Sequence, residues 1–266
     1  MLASNKAVKV TAKTHIKDKY ISLIMVSMIG VYATLICLLL SSMPYYFFAD
    51  IISTPLFIIF VLFLLFPIYI GILRFYWRMM FDVLDSPTTA FYYFSNFSLY
   101  KKALSLGFSL CFKALLLGIV FNIPSILAWL ISHPFIYEIF DFAIPVWTVN
   151  FNNVVATLRA VATVCLFFAM LKYYLAPVIF VSTENIVCAE AIYMSKTISK
   201  KTQLDFISLN FSFSHWILLS IFIIPLVFTL PYIITSYAVH CRFAIADYNK
   251  FVKATLSNEN FNGQGI

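Results

Sequence analysis

The sequence predicts an all-α fold, a polytopic bundle of transmembrane helices, and three observations predict it. Of 266 residues, 62% are hydrophobic and only 11% are charged, whereas soluble domains carry about 25% charged residues. So few charges cannot solvate the surface of a water-soluble globule, so much of the outside must face lipid. Aromatics reach 18%, with 29 Phe and 16 Tyr, which suits a lipid-facing surface with interfacial belts. Lastly, long apolar runs recur along the chain, each separated from the next by polar or basic residues.

A bilayer core of about 30 Å needs roughly 20 apolar residues in a helix. The runs at 21–43, 55–73, 106–131 and 154–181 meet this length. The first follows a Lys-rich stretch but is longer than a signal-peptide core and lacks a cleavage site, so it reads as a retained span. A fifth apolar region, 206–246, is about twice the length of one crossing. Pro225 and Pro231 interrupt it, and proline removes a backbone donor. Two crossings, near 206–224 and 227–246, fit it better than one. That gives a basic tail at 1–20, a membrane domain at 21–246 and a C-terminal tail at 247–266.

Charge placement orients the spans. Lys6, Lys9, Lys13, Lys17 and Lys19 precede the first span; Arg74, Arg78, Lys101 and Lys102 lie between the second and third. Lys172, Lys196, Lys200 and Lys201 lie between the fourth and fifth, and Arg242, Lys250 and Lys253 near the C-terminus. The stretches 44–54 and 132–153 hold no Lys or Arg. Six spans put every basic cluster on one side, as the positive-inside rule requires of the cytoplasm; five do not. Both termini are therefore expected in the cytoplasm. The net charge of +7 is spread over these clusters and implies anionic lipid headgroups, not nucleic acid, as the partner.

Two segments between spans, near 86–102 and 183–201, read as interfacial amphipathic helices. Ser86-Pro87 and Thr183-Glu184 supply helix-entry residues. Phe91, Phe94 and Phe97 lie along one side of the first, and Val187, Ala191, Met194 and Ile198 along one face of the second. Ser95 matches Ser195 and Lys101 matches Lys201 at an offset of 100 positions, which suggests a parallel repeat of span, interfacial helix and span.

Tyr173 to Ile179, Ala189 to Ser195, Phe211 to Trp216 and Pro231-Tyr232 with Tyr237-Ala238 carry a resemblance. With Pro67 to Gly71, Arg74 to Trp77 and Phe91 to Ser95, they resemble a bacterial family of six-helix membrane proteins of unknown function. That family is distantly similar to the membrane domain associated with some glycerophosphodiester phosphodiesterases. The resemblance covers most of the chain from about Pro67 to Ala246 and implies a fold but no catalytic residues. The chain departs from the pattern after Trp216, where Pro225 stands in place of glycines. Resemblance and residue usage both imply a bacterial plasma membrane.

Charges inside spans are functional hypotheses because they cost about 2.5–3.5 kcal/mol at a helix centre on insertion scales. Lys113 and Lys172 either hold an anionic group such as a lipid phosphate between them, or snorkel their ammonium groups to the interface. Arg159 lies near the outer end of the fourth span. Asp205 is expected to open the fifth, where a carboxylate suits a helix N-terminus, and to pair with Lys101, Lys102 or Lys113. His215 beside Trp216 either relays protons or binds a ligand, or makes one interhelical hydrogen bond. His133, Glu138 and Asp141 share an outer loop with Trp147, but their spacing matches no metal motif. Nor does the chain hold HExxH, GxSxG, a P-loop or GxGxxG. The five cysteines, Cys37, Cys111, Cys165, Cys188 and Cys241, read as free thiols. No enzyme, metal or cofactor is expected. The leading expectation is a non-enzymatic module that binds lipid or a membrane-protein partner through its interfacial helices, with Lys101, Lys102, Lys200 and Lys201 as basic contacts. The competing one is a small transporter or export component passing a lipid or solute between the repeats.

Overall fold

A computed structural model of the chain describes residues 5–42, 50–83, 85–132, 151–183, 186–219 and 223–262. Every regular element among them is helical. Helix α1 is Asn5–Ile16, α2 Tyr20–Ser42 and α3 Asp50–Phe60. A π-helical turn, Val61–Leu65, leads straight into α4, Phe66–Met79. A 3-10 helix, Pro87–Phe94, precedes α5, Phe97–Ser132. Then come α6, Phe151–Met170, a 3-10 turn at Leu171–Tyr173, and α7, Ala176–Ser182. Helices α8, Cys188–Phe211, α9, Ser214–Leu219, and α10, Ile223–Asn262, complete the order.

Four helical stretches are long and apolar enough to cross a bilayer: Tyr20–Ser42, Pro55–Met79, Phe97–Leu130 and Asn153–Ser182. They correspond to the first four expected spans. The fifth and sixth expected spans are not among these four, in a region where only part of the chain is described. Helix α8 runs unbroken from Cys188 to Phe211, through the expected boundary between an interfacial helix and a span. Its N-cap residue is Val187, so Thr183 does not start it. Among the described residues the chain turns at Ser212–Phe213; Pro225 falls in the first turn of α10, where proline is tolerated, and Pro231 lies inside that helix. Thr235 Oγ1 donates to the Pro231 carbonyl at 2.8 Å.

Contacts divide the chain into two compact units. The first comprises Met1–Phe108 and Tyr173–Ile266. Its core joins α1, α2, α4 and α10, with Leu23, Ile72, Tyr76, Phe213 and Val239 buried. Polar links pin the helices: Ser27 Oγ and Tyr76 Oη lie 2.6 Å apart, and Tyr76 also donates to the Leu23 carbonyl at 3.2 Å. Helix α4 ends in a Schellman motif, with Asp82 at φ 58° and the Val83 and Asp82 amides bonded to the carbonyls of Arg78 and Met79. Lys19 Nζ lies 2.9 Å from the Asp82 carboxylate, tying the start of α2 to the end of α4.

The basic N-terminal stretch is itself a packed helix. Val8, Ala12 and Ile16 of α1, at i, i+4 and i+8, are buried. Asn5 Nδ2 donates to Ser208 Oγ at 2.8 Å and Lys9 Nζ to the Ser212 carbonyl at 3.1 Å. That last bond satisfies a backbone acceptor at the break after α8. Both ends of the stretch Phe228–Arg242 in α10 meet the same end of the α2–α4 pair. Tyr20 Oη donates to the Phe228 carbonyl at 2.9 Å, while Arg242 donates to the Met80 carbonyl at 3.1 Å.

The second unit, Ser109–Lys172, holds the later turns of α5 and all of α6. A Cβ on Gly118 would sit 3.8 Å from Leu166, ordinary van der Waals contact. Ser125, Val155 and Ala162 are buried, while Phe112 and Phe167 are each 61% exposed. Helices with apolar side chains on most faces and so little buried belong in lipid.

Candidate functional site

The site with the most chemistry in the first unit is built around the 3-10 helix Pro87–Phe94. Ser86 caps it, accepting from the Thr88 amide at 3.2 Å, with Pro87 at the first helical position. The segment rests directly on α4. A Cβ at Gly71 would overlap the Ala90 carbonyl, so only glycine admits this approach of backbone to helix. Ala90 and Tyr93 point inward and are buried, whereas Phe91, Phe94 and Phe97 are exposed at 47%, 39% and 79%. A bend at Ser95–Asn96 ends the segment, and α5 begins at once. Lys101 and Lys102 therefore stand on the first turns of α5, exposed, and not on an interfacial helix of their own.

Beneath the segment lies a cavity of about 200 Å³ lined by Arg74, Tyr92, Tyr93 and Lys102, with Leu99 and Phe180. Arg74 is buried, and its guanidinium carbon lies 4.0 Å over the Tyr92 ring. Burial pushes the Tyr93 phenol up to about 12, although a hydrogen bond from Arg74 and its charge pull the other way. Two cations and two phenols around a void of this size can hold a phosphate-sized anion. From the sequence, Arg74 was only one charge in a cluster. Its position directly after the second span, between Ile72-Leu73 and Phe75-Tyr76-Trp77, was the signal that could have marked it.

The expected site residues scatter. Lys113 is half-buried on α5 and Lys172 exposed on the 3-10 turn, both in the second unit. Arg159 is exposed on α6. Asp205 lies in the last third of α8 rather than at a helix start, half-buried and within electrostatic reach of Tyr174 and His240. His215 and Trp216 are exposed on the short α9, their rings 5.4 Å apart. Lys200 and Lys201 are exposed on α8. His133, Glu138, Asp141, Trp147 and Glu184 lie outside the described residues. Among the described residues no three His, Cys, Asp or Glu side chains gather as metal ligands would.

The structure brings together a polar cluster that sequence reasoning missed. Tyr174 Oη lies 2.7 Å from Thr202 Oγ1 and 3.2 Å from His240 Nε2, and its ring stacks on Phe206 at 4.2 Å. Tyr237 Oη donates to the Tyr174 carbonyl at 2.6 Å. This network fastens α8 to α10 across the chain entering α7. Hydrogen bonds that join side chains of both helices hold the two at a fixed spacing. Comparison with protein-family models, curated proteins and solved structures finds no match to this chain.

Proposed function

We propose that this chain is a non-enzymatic membrane module that binds anionic lipid headgroups at the cytoplasmic leaflet of a bacterial plasma membrane. One observation carries the reading. The segment Pro87–Phe94 is held on Gly71 with Phe91, Phe94 and Phe97 exposed beside the exposed Lys101 and Lys102. Exposed rings next to ammonium groups suit the boundary between acyl chains and phosphates, where each basic residue contributes about 1 kcal/mol. The test is retention of lipid, by native mass spectrometry, after release from nanodiscs of phosphatidylcholine with phosphatidylglycerol. The native chain keeps phosphatidylglycerol in preference, and Lys101→Gln with Lys102→Gln weakens that preference roughly tenfold. Equal retention of both lipids by the native chain rejects the reading. Charge reversal of Lys113 and Lys172 tests separately whether the second unit adds a lipid contact.

The same reading includes four crossings with both termini cytoplasmic. Charge fixes only whether the number of crossings is even, so four and six satisfy it equally. Four is favoured by the Tyr20–Phe228 hydrogen bond. In a six-span arrangement Phe228 opens the last span at the outer face, about 30 Å from the inner end of the first. The hairpin of α8, α9 and α10 then enters and leaves from the cytoplasmic side.

A transport or export component is the second reading. It draws on an apolar cavity of about 500 Å³ beside the π-helical turn, lined among others by Gly30, Thr34, Val61, Leu65 and Ile234, since such turns are frequent at functional sites. Proteoliposomes that move no tested lipid or solute reject it.

A further inference from the structure

We infer that the groove between α8 and the second half of α10 is a binding site for a phosphate-bearing ligand with an apolar body. The groove holds about 520 Å³, within the usual size range of small-molecule sites. Its floor is apolar, with Ile198 of α8 and Ala244 of α10 both buried. Its rim is basic: Lys200 and Lys201 stand on one side, Lys250 on the other, all exposed. Asp247 is the one carboxylate in the lining, and among the described residues no ion pair joins it to any of the three lysines. Three ammonium groups against one carboxylate leave the rim with an excess of two positive charges. The Lys201 ammonium is held 4.3 Å over the Phe251 ring, which fixes one cation at the edge of the apolar floor.

The walls are rigid where it matters. Thr202, on the groove side of α8, shares its hydroxyl with Tyr174, which also meets His240 of α10. The spacing of the two helices is thus set by a buried hydrogen-bonded network rather than by whatever fills the groove. A basic rim over an apolar floor selects a phosphate or phosphate ester attached to a hydrocarbon body. It disfavours a zwitterionic headgroup, whose cationic end meets three lysines. Two sources present this chemistry: a membrane phospholipid with an anionic head, and a water-soluble phosphate ester with an apolar chain.

The experiment uses the full chain in phosphatidylcholine nanodiscs, with three probes. Phosphatidic acid in the bilayer represents the lipid source, hexyl phosphate in solution the soluble one, and inorganic phosphate the head alone. The expected result is tighter binding of phosphatidic acid or hexyl phosphate than of inorganic phosphate, since only these use the floor. Lys201→Gln with Lys250→Gln is expected to weaken it about tenfold. Asp247→Asn tightens it, an outcome that misfolding does not produce. Arg159→Gln, on α6 of the second unit and outside both proposed contacts, leaves it unchanged. Phosphatidic acid binding alone assigns a lipid, and hexyl phosphate binding alone a soluble ligand. If neither binds, or if the double variant binds both as the native chain does, the inference fails.

Discussion

Two glycines in the first unit face different neighbours, and the difference predicts different costs. A Cβ at Gly30 would meet Ile72 Cδ1 at 2.9 Å, the far end of a flexible side chain that can rotate away. A Cβ at Gly71 would meet the Ala90 backbone, which cannot move without lifting the whole 3-10 helix. Gly71→Ala is therefore expected to destabilise by about 1–3 kcal/mol or more, as overpacking does. Gly30→Ala is expected to cost less than about 1 kcal/mol, and the better helix propensity of alanine offsets part of that. Thermal unfolding in one detergent checks the ordering, and a Gly71→Ala variant as stable as the native chain contradicts it. Tyr174→Phe belongs at this scale too. It leaves Thr202 and His240 without their shared hydroxyl, at an expected cost of about 1–3 kcal/mol. None of this was legible in the sequence. A span containing one glycine says nothing about whether backbone or side chain will approach it. Tyr174, Thr202 and His240 lie too far apart along the chain for spacing to join them.

Helix α1 shows what an element can hide. The sequence reads its three lysines, Lys6, Lys9 and Lys13, as part of a topology signal, which obscures the apolar stripe of Val8, Ala12 and Ile16 running between them. The signal was present at i, i+4 and i+8. What was absent was any indication of a surface for the stripe to cover, since that surface comes from α10 more than 200 residues later. The docked helix carries a pH response. Burial lowers the His15 pKa below its ordinary value, and the nearby charges of Arg242 and Lys19 lower it further, against a raising effect of Asp82. The unfolded or undocked chain therefore binds the proton more readily than the docked one. Docking is fully favourable above about pH 6.5 and weakens as pH falls from there towards the lowered folded value, levelling below it. Hydrogen-exchange protection of residues 5–16, corrected for intrinsic rates, should drop between pH 7.5 and 5.5. His15→Gln should flatten that drop. An unchanged slope in the variant would assign the response to other groups.

At the scale of the molecule, the first four spans were legible because a long apolar helix has one economical environment, the bilayer core. The region 206–246 is also rich in apolar residues, and hydropathy does not distinguish burial in lipid from burial in protein. Ser236, Tyr237, His240 and Cys241 sit within it, and these suit a packed tertiary interface, where most of them are buried. The two arrangements make opposed predictions for one pair of positions. Tyr20 and Phe228 stack with ring centroids 6.2 Å apart. With all five native cysteines replaced, Tyr20→Cys and Phe228→Cys in membranes should be joined by a short bis-maleimide under four crossings. A control pair, Tyr20→Cys with Leu40→Cys, should not be joined, because 20 residues of helix separate its members by about 30 Å. Under six crossings the Tyr20–Phe228 pair stands as far apart as that control, and both stay unlinked. A linked test pair beside an unlinked control therefore fixes the last hairpin to the cytoplasmic side, together with the basic groove between α8 and α10. Two unlinked pairs would restore a crossing through Phe228 and carry the tip of the hairpin to the opposite face.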